Sequence, residues 1–241
     1  MIRWLVVPVA WALSLGAAPV VQAQDAMIPA QVERFEQMVR DYLMKNPEVI
    51  IQAVRGLEER QKRDATEMTR ELIGKHSQKL RQDPDSFVAG NPKGDVTIVE
   101  FFDYRCGYCK QVHPVVKNAL RGDGKVRLVL KEFPVLGPES VAASRAAVAA
   151  FRGQRDKYLA FHDALMERRG AFGESVIMDV AASVGLNVDK LKADMKSPDV
   201  ERTLRANFEL AQTLGINGTP AFIIGDELVP GAIIDRQFTQ L

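Results

Sequence analysis

Apolar positions recur at helical spacing through the first third of the chain. Val32, Phe35, Val39 and Tyr42/Leu43 form one stripe, which Asn46-Pro47 interrupts. Pro47 suits the first turn of a second helix, predicted to continue to about Leu80. Along it Ile50, Val54, Leu57, Gln61, Ala65, Met68 and Leu72 fall three or four residues apart, while Glu58, Glu59, Arg60, Lys62, Arg63 and Asp64 crowd the other faces. One narrow apolar seam on a long polar helix needs a partner, either the following domain or another copy of itself. Self-association is the preferred reading, and a helical arm folded back in cis is the alternative.

The period changes after two turn clusters, Asp83-Pro84-Asp85 and Gly90–Asp95. Val96–Phe102 is β-branched and aromatic on both faces, the pattern of a central strand. A helix then starts at the first cysteine, runs through Lys110–Leu120 and ends at Gly122-Asp-Gly124, and Val126–Leu130 completes a βαβ unit. From Pro138 to Leu214 the pattern is helical, with helices at Ala142–Ala150 and Tyr158–Arg168 and shorter ones near 174–195 and 199–214. Strands resume at Ala221–Ile224 and Glu227–Val229 across Gly225-Asp226, read as a type I′ hairpin, and a last helix is predicted over Asp235–Gln240. This order describes an α/β domain at 86–241 with a helical insertion at about 138–214, preceded by a helical region at 24–85.

The first residues read as an export signal. Arg3 is a minimal basic start, Trp4–Val21 carries no charge, and Val21-Gln22-Ala23 supplies a small-residue cleavage site. An uncleaved membrane anchor is the alternative. The expectation is a signal peptide at 1–23, removed after Ala23, and a mature protein in the periplasm. The whole chain has a net charge of +1, and Arg3 accounts for it, so no nucleic-acid surface is expected. With 241 residues, 46% of them hydrophobic, the chain can bury a core of ordinary size.

The chain has two cysteines, Cys106 and Cys109. A structural disulfide stabilises most when it closes a long loop, and this pair closes almost none, so chemistry explains it better than stapling. At a helix start, Cys106 meets unpaired N–H groups that stabilise a thiolate, lowering its pKa from about 8.5 into the range of about 3.5–7.5. Cys109, one turn further in, is the shielded partner. Haem attachment is excluded because Lys110 follows the second cysteine, and a structural zinc site lacks a second cysteine pair. A copper or zinc site using Cys106, Cys109 and His113 lacks a fourth ligand, and a helix-surface role is preferred for His113. No metal or cofactor is expected. Glu100 stands out in an otherwise apolar strand, where burial should raise its pKa.

Phe101-Phe-Asp-Tyr-Arg-Cys-Gly-Tyr-Cys-Lys110 resembles the active-site segment of DsbA-like proteins of the thioredoxin superfamily, and Gly218-Thr-Pro-Ala-Phe222 resembles their cis-proline loop. Phe133-Pro-Val-Leu-Gly137 is similar to their strand exit. The resemblance covers about Phe87 to Leu241 and implies a thioredoxin fold with an inserted helical domain. It implies that Cys106 attacks and Cys109 resolves a redox-active disulfide, and that Thr219-Pro220 is cis and faces Cys106. Gly107, Tyr108, Thr219 and Pro220 would meet the substrate, and Glu100 would take the proton of Cys109. Two plainer readings stand beside these: Pro220 as a strand-entry proline, and Glu100 neutralised by Lys131.

The N-terminal helices resemble those of ScsC-type suppressor-of-copper-sensitivity proteins. That resemblance implies a homo-oligomer, with a trimer as one known form, acting as a disulfide isomerase or reductase on misfolded exported proteins. A membrane reductase of DsbD type would recycle it. The alternative is a monomeric DsbA-like dithiol oxidase recycled by a DsbB-type membrane oxidase, and a second is a copper-binding protein.

Overall fold

The computed structural model describes residues 28–232 apart from Asp123 and Ala171. The expected signal peptide and the helix expected at 235–240 lie outside the described residues.

The chain divides into two units, with the division between Glu59 and Arg60. The first contains α1 (Pro29–Lys45) and the beginning of α2 (Glu48–Lys75). The break between them comes from Asn46, whose side-chain and backbone N–H groups both donate to the Tyr42 carbonyl (2.8 and 2.9 Å), and Pro47 restarts the chain. The seam residues Val32, Phe35, Val39, Tyr42, Ile50, Val54 and Leu57 are all exposed.

In the second unit, α2 stops at Lys75 rather than near Leu80. The chain turns at His76 and continues as α3 (Ser77–Arg81). That turn aims both Ile73 and Leu80 into a core shared with Val99 and Phe101, and both are fully buried. The compact unit therefore starts well before residue 86, where the change of hydrophobic period falls.

Among the described residues five strands form one sheet: β1 (Phe87–Gly90), β2 (Val96–Phe102), β3 (Val126–Glu132), β4 (Ala221–Ile224) and β5 (Glu227–Pro230), in the order β1-β3-β2-β4-β5. β2 and β3 are parallel, joined by α4 (Gly107–Gly122), and the other pairs are antiparallel. The inserted helices are α5 (Pro138–Gly153), α6 (Arg155–Glu167), α7 (Glu174–Ser183), α8 (Val188–Asp194) and α9 (Pro198–Thr213). β1 was not anticipated, because four residues between two turn clusters are too few to show a period. The β4–β5 hairpin has the expected two-residue loop, but Gly225 has φ +59° and, among the described residues, no residue other than glycine has a positive φ. A type I′ turn needs positive φ at both central residues, so the geometry is that of type II′, with only the first positive.

The two faces of the sheet are buried differently. Ile98 and Phe102 of β2 and Leu128 and Leu130 of β3 pack with Cys109, Val112 and Val116 of α4, and the same core runs on into α5 and α6. Val99, Phe101 and Val129 pack on the opposite face with Ile73, Leu80 and Leu210. Register decides which charged residue goes where. Glu100 lies opposite Leu130 and Phe101 opposite Lys131, so Glu100 and Lys131 point to opposite faces. Lys131 accordingly does not neutralise Glu100. Its ammonium, 1% exposed, donates to Asp83 (2.5 Å) and to the Lys79 carbonyl (2.8 Å), fastening α3 to the sheet. Replacing Asp83 with Asn leaves that ammonium buried without its carboxylate and lowers stability by about 3 kcal/mol. Urea denaturation followed by far-UV circular dichroism reads this loss, and an unchanged midpoint would contradict it.

Candidate active site

β2 ends at Phe102, and the next residues form a turn built around Asp103. This carboxylate is fully buried. Its Oδ1 accepts from the Arg105 amide (2.7 Å) and its Oδ2 from the amides of Val135 and Leu136 (2.9 and 3.0 Å). Its carbonyl accepts from the Cys106 amide (3.1 Å). One side chain thus ties the turn before the cysteines to the segment leaving β3, and an Asx turn is the local sequence sign of it. Arg105 reinforces the tie through the Leu136 carbonyl and Glu139. Asp103 was not singled out as a site residue from the sequence, although it lies three positions before the first cysteine.

This turn sets Cys106 at the mouth of α4. Cys106 retains 5% of its surface and Cys109 none, so only Cys106 can be reached by a partner. Both are free thiols. The Cys109 amide donates to the Cys106 sulfur (3.4 Å). In its protonated form Cys106 donates to the carbonyl of Thr219 (3.1 Å). Thr219-Pro220 is a cis peptide. Strand pairing explains why residues so distant in sequence meet: β4, which follows Pro220 directly, pairs with β2, which leads to the cysteines. Tyr108 is 66% exposed beside this loop's partner, and Gly107 opens α4.

The two sulfurs are electrostatically unlike. Hydrogen bonding from the Cys109 thiol, opposed by burial and assisted by the Thr219 side chain and the amides of Cys109 and Tyr108, brings Cys106 down to about 5. Holding that shared proton, together with burial and the nearby Glu100, pushes Cys109 well above the usual thiol range. Burial raises Glu100 to about 8, and the charge of Cys106 adds to this. Cys106 is therefore a thiolate near neutral pH, and Cys109 and Glu100 keep their protons.

Two further features hold the insertion against this centre. Lys110 donates to the carbonyls of Leu165 and Met166 at the end of α6 (2.9 and 3.2 Å) and lies over the Phe172 ring. Glu132, fully shielded at the end of β3, accepts from Tyr104 (2.9 Å), Tyr158 (3.2 Å) and Ser144 (2.8 Å). Lys131 and Glu132 adjoin in sequence, yet strand alternation buries them on opposite faces.

His113 is not on the helix surface. It is 6% exposed and its Nε2 lies 3.1 Å from Asp163 of α6. Among the described residues, the metal-ligating side chains that converge are His113, His162 and Asp163, without either cysteine. The Cys106–Cys109–His113 copper set is not assembled.

A model of the DSBA-like thioredoxin domain matches residues 97–240. The chain belongs to that family. A second model, the copper resistance protein ScsC N-terminal domain, matches residues 31–63. A thioredoxin-like oxidoreductase from Silicibacter pomeroyi is 45% identical, with a TM-score of 0.65 over 68% of this chain and 93% of that one. A linker-deletion variant of Proteus mirabilis ScsC is 29% identical and aligns over 90% of this chain and 96% of its own, with a TM-score of 0.69. A probable disulfide bond formation protein D from Bacillus cereus is 26% identical over 58% of this chain and 69% of its own length. Another relative, a Na+/H+ antiporter NhaA 1 of Salinispora arenicola, is 25% identical over 59% of this chain, which spans only 22% of that protein's length. The thioredoxin fold with inserted helices and a helical N-terminal region agrees with the order of elements expected from the sequence.

The unequal thiols of this DSBA-like domain give a direct prediction. Thiolate absorbance of the reduced protein should titrate with a midpoint near pH 5. Cys109→Ala removes the main donor and should move that midpoint up toward the ordinary value of about 8.5. A wild-type midpoint already near the ordinary value would contradict the geometry.

Proposed function

We propose that this protein exchanges disulfides with exported proteins in the periplasm, with Cys106 as nucleophile and Cys109 as resolving thiol. The observation that carries the reading is the pairing of a reachable Cys106, lowered to about 5, with a fully buried Cys109 beside the Thr219-Pro220 loop. The Cys106 thiolate attacks a substrate disulfide, forming a mixed disulfide and releasing one substrate thiolate. That thiolate either attacks a second disulfide of the substrate, releasing another substrate thiolate that attacks the mixed disulfide at its substrate sulfur and expels the Cys106 thiolate, or stays free. In the second case Cys109 attacks the mixed disulfide, giving the Cys106–Cys109 disulfide and a reduced substrate. Thr219 and Pro220 flank the extended substrate chain, with Gly107 and exposed Tyr108 on the other side. The periplasmic location rests on the likeness to ScsC and on the expected signal peptide. No helix among the described residues is long and apolar enough to cross a membrane.

The preferred direction is isomerase or reductase, in a homo-oligomer formed through the exposed seam of α1 and α2. Val32, Phe35, Val39, Ile50, Val54 and Leu57 are apolar groups that a second copy would bury. Several redox centres held together raise the effective thiol concentration around one misfolded substrate. A membrane reductase of DsbD type would keep such a protein reduced. One observation favours the oxidase reading: stabilising the Cys106 thiolate stabilises the reduced form, which makes the disulfide more oxidising. A DsbB-type oxidase would then be the partner. Removing residues 24–59 tests the choice while leaving Ile73 and Leu80 in place. The isomerase reading expects full-length oligomers that restore activity to a scrambled substrate, and a shortened protein that is monomeric and has lost that activity. A full-length monomer that rapidly oxidises reduced substrate instead would select the oxidase.

Glu100 provides a second test. Raised to about 8, it loses its proton as the pH climbs through that value and only then accepts one from Cys109. The rate of Cys109-dependent release from the mixed disulfide should rise through pH 8, and Glu100→Gln should slow it and flatten that rise. Initial attack by Cys106 should change by less than about threefold, since this step does not use the carboxylate. Identical pH profiles for the two proteins would remove Glu100 from the mechanism.

A further inference from the structure

His113 lies one helical turn beyond Cys109 on α4, and His162 and Asp163 are neighbours on α6. One ligand atom from each lies within 4.8 Å of the others. His113 is 94% buried, by its 6% exposure, and its Nε2 has no hydrogen-bond partner. Asp163 Oδ1 is 3.1 Å from that nitrogen, but off the line an N–H would need. The separation is that of neighbouring ligands around an ion with bonds of about 2.0–2.2 Å.

We propose that His113, His162 and Asp163 form a binding site for a divalent first-row ion of the zinc class.

The surroundings prepare each ligand. Tyr104 spends its hydroxyl proton on Glu132, so its oxygen accepts from His162 Nδ1 at 3.1 Å. This fixes the His162 tautomer and leaves Nε2 with a free lone pair, the usual outer support of a ligating imidazole. Lys117 holds the other Asp163 oxygen at 2.8 Å, leaving Oδ1 turned toward His113. Its charge opposes a cation, which places the expected affinity at micromolar rather than nanomolar strength. A pocket of about 190 Å³ is lined by all three ligands and has room for water at the remaining positions. Two imidazoles and one carboxylate with an open position suit zinc. The plain alternative is a structural ion-pair cluster of His113, Asp163 and Lys117 that binds nothing.

The test uses the full chain with Cys106→Ser and Cys109→Ser, which removes the competing thiolates. Zn2+ is titrated against a chromophoric chelator. One ion per chain should bind, and His162→Gln and Asp163→Asn should each weaken binding at least tenfold. His76→Gln should leave it unchanged, since this third histidine of the chain is not one of the three converging ligands. Imidazole NMR of the dithiol-free chain guards against misfolding of the core variants: Zn2+ should shift the ring signals of His113 and His162 but not those of His76. Absence of saturable binding, or binding that leaves His113 and His162 unshifted, would overturn the proposal.

Discussion

Cys106 is charged near neutral pH because the Cys109 thiol, one helical turn away, donates to its sulfur while the amides of Tyr108 and Cys109 turn toward it. The arrangement exists only if α4 begins immediately after Cys106, and Asp103 fixes that starting point. By accepting amides from Arg105 on one side and from Val135 and Leu136 on the other, this carboxylate joins the cysteine turn to the exit of β3. The parallel β2–β3 pair at the sheet's centre therefore delivers both halves of the site. β4, antiparallel to β2, brings in the Thr219 carbonyl. The chemical asymmetry of the two sulfurs is a consequence of sheet topology before it is a property of the motif.

The same sheet places its charged side chains with strict alternation. Glu100 and Glu132 lie on the α4 face, where burial raises both to about 8, and Lys131 lies on the other face with Asp83. Glu132 is satisfied by three hydroxyls, a fully hydrogen-bonded core network that couples α5 and α6 to the strand. Glu100 instead lines a pocket that also reaches His113 and Asp163. Two acids of similar pKa on one face thus have different environments, one held by three hydroxyls and one lining a pocket.

Long periodic segments were legible in the sequence. The helices of the insertion, the central strand, the helix after the cysteines and the C-G-Y-C pair signal themselves through local pattern, whereas the cis Thr219-Pro220 loop was expected only from the family resemblance. What failed to show was set by register or by distance in the chain. β1 is four residues long, the division near residue 60 falls inside a continuous helix, and the Glu100–Lys131 pairing fails because the parallel register places Phe101 opposite Lys131. The type I′ hairpin failed for a local reason, since Asp226 does not adopt the positive φ that turn requires. His113 looked like a surface residue because nothing near it in sequence reveals Asp163 of α6, fifty positions away, packing over it. Asp103 had a readable local sign in its Asx turn, but its two long-range amide bonds depend on how β3 ends.

The central claim is that one sulfur of the pair carries the reactivity. Reduced protein treated at pH 6 with less than one equivalent of iodoacetamide, then digested and analysed by mass spectrometry, tests this directly. A thiolate lowered to about 5 and a buried partner held above the usual range predict alkylation at Cys106 in more than tenfold excess over Cys109. Equal labelling of the two cysteines, or labelling that favours Cys109, would contradict the account.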